Sequence, residues 1–311
     1  MSMLAKGDIA ARYAHELAGD RRIGLGCIGL SGIYGPVSKE RAIDTLYAAL
    51  DEGLTLFDTA ALYASGANEE LIGSVLGKRP EVAIVTKFGL YVNSDGALVR
   101  DSSPRTIRTS VEASLRRLRR ERIDLLLQHR SDPSVSDEVV AETVAALASE
   151  GKVAAFGLSG TEPARVSSWS RIPNIHAVQN ELSLANPLRS DEPEIMLSVG
   201  AVFMAFAPLG RGLLTKSSPG RDGDLRAGMV EFTETASGAC LRIIDVVSKV
   251  AARRETCNAA VALAWLLAKS PNIIAIPGCR SRAQVCETAS GSKLTLSDAE
   301  LAELEESLIN R

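Results

Sequence analysis

Short apolar runs alternate along this chain with longer stretches in which apolar residues return every third or fourth position, the signatures of buried strands and of helices with one packed face. Residues 23–29 read as a first strand. Leu54-Thr55-Leu56-Phe57, Val82-Ala83-Ile84-Val85-Thr86, 123–128, 153–158, 175–178, 202–205 and 273–276 read as seven more. Helical spacing fills the intervals. Ser38 is placed to cap a helix with Ile43, Leu46, Tyr47 and Leu50 on its apolar face, and Ser102-Ser103-Pro104 opens another carrying Ile107, Val111, Leu115 and Leu118. Further helices are expected over 68–76, 139–150 (ended by Gly151), 240–254, 258–269 and 297–308.

Eight strand-helix units in strict alternation predict a parallel (β/α)8 barrel, the TIM barrel, as one α/β domain over residues 22–311. No linker divides it. Residues 1–21 precede it as a segment of open role, in which 10–17 have the pattern of one helix. Gly24-x-Gly26-x-x-Gly29 has the spacing of a dinucleotide fingerprint, but Leu30-Ser31-Gly32-Ile33-Tyr34-Gly35-Pro36 after it is loop chemistry rather than a helix. These glycines are read instead as permitting close backbone approach in the first strand.

Composition narrows the class. A net charge of -3 gives no global attraction to nucleic acid or acidic membranes. No apolar run approaches the roughly 18 to 20 residues that span a bilayer, and Asp8 and Glu16 interrupt what a signal peptide would need. Cys27, Cys240, Cys257, Cys279 and Cys286 are odd in number and contain no C-x-x-C, which fits a reduced cytoplasmic protein better than a disulfide framework or a zinc site. No metal site is expected. The basic run Arg116-Arg117-Leu118-Arg119-Arg120-Glu121-Arg122 lies at a helix C-terminus and reads as a solvated end offsetting the macrodipole.

The strand ends carry the chemistry. The second strand stops on Asp58 with Tyr63 five residues on, the third runs onto Lys87, and the fourth onto His129. In a parallel barrel these converge on the C-terminal rim, where barrel enzymes hold their active sites. Lys87 is compatible with a Schiff-base nucleophile, a phosphate-binding cation or an ion pair with Asp58. A cation beside a phenol lowers the phenol's pKa, which makes Tyr63 a candidate general acid for a carbonyl oxygen. Singly, each residue has a plain structural reading: a turn cap, amphipathic packing, a structural histidine. Jointly they favour a functional one. The Gly-, Ser- and Asp-rich stretch 216–235 follows the seventh strand and belongs to the same rim; with the loops 33–37 and 88–100 it is expected to set the substrate.

Phe57-Asp58-Thr59-Ala60-x-x-Tyr63, Asn68-Glu69-Glu70, Thr86-Lys87, Gln128-His129-x-x-Asp132-Pro133, Gly157-Leu158-Ser159, Val178-Gln179-Asn180-Glu181, Ala207-Pro208-Leu209-Gly210-Arg211-Gly212 and Ile276-Pro277-Gly278 occur in order. Together they resemble the aldo-keto reductases. The segment Gly26-Cys27-Ile28-Gly29-Leu30-Ser31-Gly32-Ile33-Tyr34-Gly35 resembles the bacterial and plant branch with pyridoxal and perakine-type reductases. The resemblance implies an NADPH-dependent reductase of a small aldehyde or ketone, with Asp58, Tyr63, Lys87 and His129 as its tetrad. It places Ser159 and Gln179 on the nicotinamide carboxamide, Phe206 on the ring, and Leu209 to Gly212, with Arg211, along the pyrophosphate. Arg280, Ser281, Gln284, Glu287 and Thr288 fall at the adenosine phosphate and adenine, with Arg282 as a helper, and Gly26, Cys27, Ala207, Pro277 and Gly278 are further cofactor positions. Gly160 stands where many members carry Asn, Ala207 replaces a Ser, Thr288 an Asn, and Leu182 and Asn186 a Tyr and an Arg. The usual hairpin that plugs the barrel floor has no counterpart in residues 1–21. A Schiff-base aldolase using Lys87 and a nucleotide-sensing regulatory subunit are the alternatives; a homo-oligomer is left open.

Overall fold

The computed structural model describes residues 3–169, 175–187, 199–217, 223–229, 232 and 237–309. Eight strands pair in parallel in the order β1 (Leu25–Gly26), β2 (Leu56–Asp58), β3 (Ala83–Phe88), β6 (Leu125–Gln128), β7 (Phe156–Ser159), β8 (Ala177–Glu181), β9 (Val202–Phe206), β10 (Ile273–Ile276). Parallel bridges Ile23↔Ala275 and Gly26↔Gly278 join the first strand to the last and close the barrel. Glycine permits that seam, because a Cβ on Gly26 would lie 2.7 Å from the Ile276 carbonyl oxygen. The first strand is therefore shorter than its expected 23–29: the chain turns into a 3₁₀ segment, Cys27–Ser31. Residues 88–100, expected as a loop, fold instead into an antiparallel hairpin, β4 (Leu90–Val92) and β5 (Leu98–Arg100), on the same rim as the end of β3.

Outside the strands, the helices Lys39–Asp51, Ala67–Leu76, Pro104–Leu118, Asp137–Ser149, Ser237–Arg253, Asn258–Ala268 and Asp298–Ile309 form where periodicity placed them. Ser38, Ser103 and Ser136 accept N-cap hydrogen bonds from Arg41, Thr106 and Val139. The Lys39–Asp51 helix is rotated from expectation. It buries Ala42, Thr45, Leu46 and Ala49, while Tyr47 is exposed, since small residues let the helix approach its neighbours closely. The basic run is a solvated end only in part: Arg116, Arg119 and Arg122 are exposed, while Arg117 and Arg120 form a clamp. Arg117 pairs with the fully buried Glu69, and Arg120 Nη2 donates to the carbonyls of Leu76, Arg79 and Val82, satisfying the end of the neighbouring helix.

Inside the barrel, Leu56, Val85, Leu125, Ala155, Ala177 and Val202 form one apolar cluster at the N-terminal ends of the strands. The helix Met3–Ala18 sets Ala14, Leu17 and Ala18 into that cluster and covers the floor in place of a hairpin. The opposite, C-terminal end is left open for polar side chains.

Candidate active site

At that open end β2, β3, β6, β7 and β8 present Asp58, Lys87, His129, Ser159 and Gln179, all nearly fully buried. The Lys87 ammonium spends its donors on three acceptors: Asp58 Oδ1 at 2.6 Å, the Thr59 carbonyl at 2.8 Å and the Tyr63 hydroxyl at 3.3 Å. Gln179 Nε2 donates to the other Asp58 oxygen at 2.7 Å, and the Ser159 hydroxyl to Gln179 Oε1 at 3.4 Å. His129 meets the Tyr63 ring edge-on with centroids 6.0 Å apart. The loop that carries Tyr63 is held open by two left-handed residues, Ala64 and Ser65, a conformation that costs of order 1–3 kcal/mol each. Asn68 braces it, accepting from Thr59 and donating to the Cys27 carbonyl and Ser31.

Burial dominates the electrostatics here. It is the largest influence on Tyr63 and raises its pKa; Lys87 pulls the other way without offsetting it, so the phenol stays protonated in the site as it stands. The lowering expected from the cation alone is thus reversed in sign. Burial likewise opposes the charge on Lys87, but the Asp58 carboxylate and the Tyr63 oxygen outweigh it and its pKa rises. His129 is pushed down to about 2 by burial first and by Lys87 and Arg130 second, which keeps the imidazole neutral. Its Nδ1 is buried with no hydrogen-bond partner.

From Tyr63 and His129 a cleft of about 710 Å³ runs between the ends of β1 and β10 to the helix Arg282–Ser290. Gly26, Asp58, Ser159, Gln179 and Phe206 line its inner half. The turn Ala207, Leu209, Arg211, Gly212 lines its middle, and Pro277, Gly278, Arg280, Gln284, Glu287 and Thr288 its far end. The middle turn places Ala207, Gly210, Arg211 and Gly212 at positive φ, a tight curl of backbone along the cleft wall.

Three sequence-assigned residues do not reach the cleft surface. Lys87 lies beneath Tyr63, Cys27 is buried with its thiol on the Leu25 carbonyl, and Ser281 caps the following helix by accepting from Gln284 N. Arg282 is drawn away as well, by Asp44 and Asp51, whereas Arg280 donates to the carbonyls of Gly35 and Pro36 and keeps a buried Nε with no partner.

Sequence reasoning missed Arg130, since no strand-end rule marks a second residue past a strand; Tyr34 and Arg100, which line the cleft with it, come from the loops 33–37 and 88–100 expected at the substrate. Parts of the 216–235 stretch lie outside the described residues. Of the rest, Asp224 bridges Tyr34 and Leu225 N donates to the Ile33 carbonyl, so this loop spans the cleft mouth. Buried Arg226 fastens it through Asp224, the Arg211 carbonyl and Ser217. At Gly160, a Cβ would lie 2.2 Å from Arg130 Nη1, so the Arg130 guanidinium fills the space a side chain there would need.

Comparison with known proteins gives the family. Residues 22–309 match the profile of the Aldo/keto reductase family. The NADP(+) aldo-keto reductase yakc of Schizosaccharomyces pombe is 32% identical over 301 residues, covering 93% of this chain and 88% of that protein. The structure of a glycerol dehydrogenase from Gluconobacter oxydans superposes with a TM-score of 0.82 at 30% identity over 93% of this chain and 91% of that one. An aldo-keto reductase of Klebsiella pneumoniae in complex with NADPH gives 0.73 at 25% identity, over 91% and 89%. A profile spanning nearly the whole chain, together with a relative above 30% identity across most of both lengths, establishes that this protein belongs to the aldo/keto reductase family.

Proposed function

We propose that this protein reduces an aldehyde or ketone to an alcohol, with Tyr63 as the group that protonates the carbonyl oxygen. NADPH, when bound, supplies the hydride. The carrying observation is the Lys87 to Tyr63 contact of 3.3 Å beneath the cleft surface. Because Lys87 donates to the phenol oxygen, the phenol's own hydrogen is left for an oxygen in the cleft. The phenolate remaining after transfer sits beside a fixed ammonium, so charge that develops in the transition state meets a partner already in place. Asp58 holds that ammonium, and Gln179 holds Asp58.

His129 has a different part. A neutral imidazole carries one proton, and a buried Nδ1 without an acceptor is cheaper left bare than protonated. The proton therefore resides on Nε2, which donates a neutral hydrogen bond to the carbonyl oxygen and orients it.

The residues present suit the cofactor. The cleft leads from Tyr63 to the Arg280 guanidinium, which lines its far end and is held by neutral carbonyls alone, so its charge suits an oxyanion such as a ribose phosphate. Ser159 and Gln179 would hold the carboxamide, Phe206 the nicotinamide face, the 207–212 turn the pyrophosphate, and Arg280 with Gln284, Glu287 and Thr288 the adenosine end. The Schiff-base alternative needs an uncharged amine with a free approach; all three Lys87 donors are occupied and its pKa is raised. Among the described residues no helix is long and apolar enough to cross a membrane, and all five cysteines are free thiols, which supports a cytoplasmic setting.

The test is Tyr63→Phe. Fluorescence titration is expected to show NADPH binding retained, while carbonyl reduction falls by about 10²- to 10⁴-fold, the usual worth of a positioned general acid. Full turnover by that variant would remove Tyr63 from the mechanism.

A further inference from the structure

Five arginines line the cleft, and their partners sort them. Arg211 is paired with Glu181 and Arg226 with Asp224. Arg280 stands at the end assigned above to the adenosine phosphate. Arg100 and Arg130 remain, both at the Tyr63 end, and among the described residues no carboxylate is paired with either.

Arg130 is half-buried. Its Nη1 donates to the His129 carbonyl at 2.7 Å and, at 3.5 Å, to the Ser159 hydroxyl, both uncharged acceptors. The nearby carboxylates are committed elsewhere. Asp132 accepts from Ser102 N and from Ser134 N and Oγ, and Asp101 from Ser103 N and Thr106 Oγ1. Gly160 is what lets the guanidinium lie where it does, since any side chain there would collide with it. Arg100, at the end of the β4–β5 hairpin, brings a second guanidinium toward the first. After burial, Arg130 feels the Tyr63 oxygen as an attraction and Arg100 as a repulsion. Two like charges thus converge beside the group proposed to protonate the carbonyl, at a cost that a bound anion would reverse. Leu98 and Leu225, both more than half exposed and both lining the cleft, offer hydrocarbon surface to the rest of such a molecule.

We propose that Arg130 and Arg100 form a subsite for an anionic oxygen group, carboxylate or phosphate, on the carbonyl substrate, which makes oxo acids and phosphorylated aldehydes the preferred class over neutral carbonyls. The assignment rests on the reductase reading above. It differs from a bracing role for Arg130, which would hold the His129 carbonyl and leave substrate charge irrelevant.

The experiment measures NADPH-dependent reduction of two matched pairs, 4-oxobutanoate against butanal and glyceraldehyde 3-phosphate against glyceraldehyde. In the native enzyme at least one anion is expected to exceed its neutral partner in kcat/KM by about 10- to 100-fold, the worth of charge-assisted hydrogen bonds. The pair that shows the preference tells carboxylate from phosphate. In Arg130→Gln and in Arg100→Gln that ratio is expected to fall toward one, chiefly through KM for the anion, and Arg130→Lys is expected to restore part of it. Should Arg130→Gln fail to fold, Arg100→Gln, on an exposed strand end, reads the same ratio. Ratios at or below one in both pairs, or a preference untouched in the variants, would overturn the subsite while leaving the reductase reading intact. Absence of reduction with all four carbonyls would overturn both.

Discussion

The two ends of the cleft are built by opposite means. At the Tyr63 end, rigid strand termini bring Asp58, Lys87 and Gln179 into mutual hydrogen bonds that use every donor of the lysine. At the far end, Arg280 hangs on the carbonyls of a loop, with a buried Nε left over. The first arrangement is closed on itself, so it can hold a charge steady but cannot adapt. The second holds a cation on neutral acceptors, so its charge is left to recognise a partner. Chemistry needs the former, because groups aimed where charge develops must not reorganise, and cofactor selection needs the latter.

The sharpest way to break this contrast is Lys87→Met. Removing one partner of a buried pair leaves the other charge uncompensated, so stability to urea is expected to drop by about 3–5 kcal/mol, with turnover lost at least as severely as in Tyr63→Phe. A stable variant would mean that the inner end is not the closed network described. Next in size, Arg280→Ala is expected to weaken NADPH binding by about 10- to 100-fold with little change for NADH. Arg282→Ala serves as its control. That arginine is held by Asp44 and Asp51 on the surface, so its loss should change either affinity less than about threefold. Equal effects of the two would erase the distinction between a spare and a spent guanidinium.

The smallest expected effect is a flat line. Burial holds Tyr63 above its ordinary 10 and His129 down at about 2. Neither group titrates between them, so kcat at saturating cofactor should be level from about pH 6 to 9 and fall only where the phenol ionises. An inflection near 6.5 that disappears in His129→Gln would show a histidine that charges in the cycle. Stability has its own sign. The unfolded chain protonates this histidine below its ordinary 6.5 while the folded one does so only near 2, so stability contributed by neutral His129 is lost as pH falls through that window.

Much of this was legible in the sequence where apolar runs stop. Asp58 and Ser159 end their strands, and His129 follows its strand directly, because a buried strand must give way to polar residues at the rim. The Ile273–Ile276 strand falls where its hydrophobic run predicts. The rest was not, for reasons of partner choice. The sign of the Tyr63 shift depends on how deeply it is buried against how close Lys87 lies, and sequence gives neither distance. Apolar spacing marks a face on the Lys39–Asp51 helix but not that alanines would take the closer contact. Arg130 and the hairpin that carries Arg100 follow strand ends already assigned, and a pattern of burial is silent about which surface cation lacks a counterion. Within the basic run, Arg117 and Arg120 are told from their exposed neighbours only by the Glu69 carboxylate and the three carbonyls that face them.

The helix Met3–Ala18 has a bearing on how the molecule comes into being. It lodges among residues of Val202–Phe206 and Ile273–Ile276, strands that lie far downstream. Contacts between such distant stretches are slow to form, since their loop closure must precede any reward. The apolar side of this helix can therefore be fully covered only after the last strand has been made, which leaves the bottom of the barrel to be completed late.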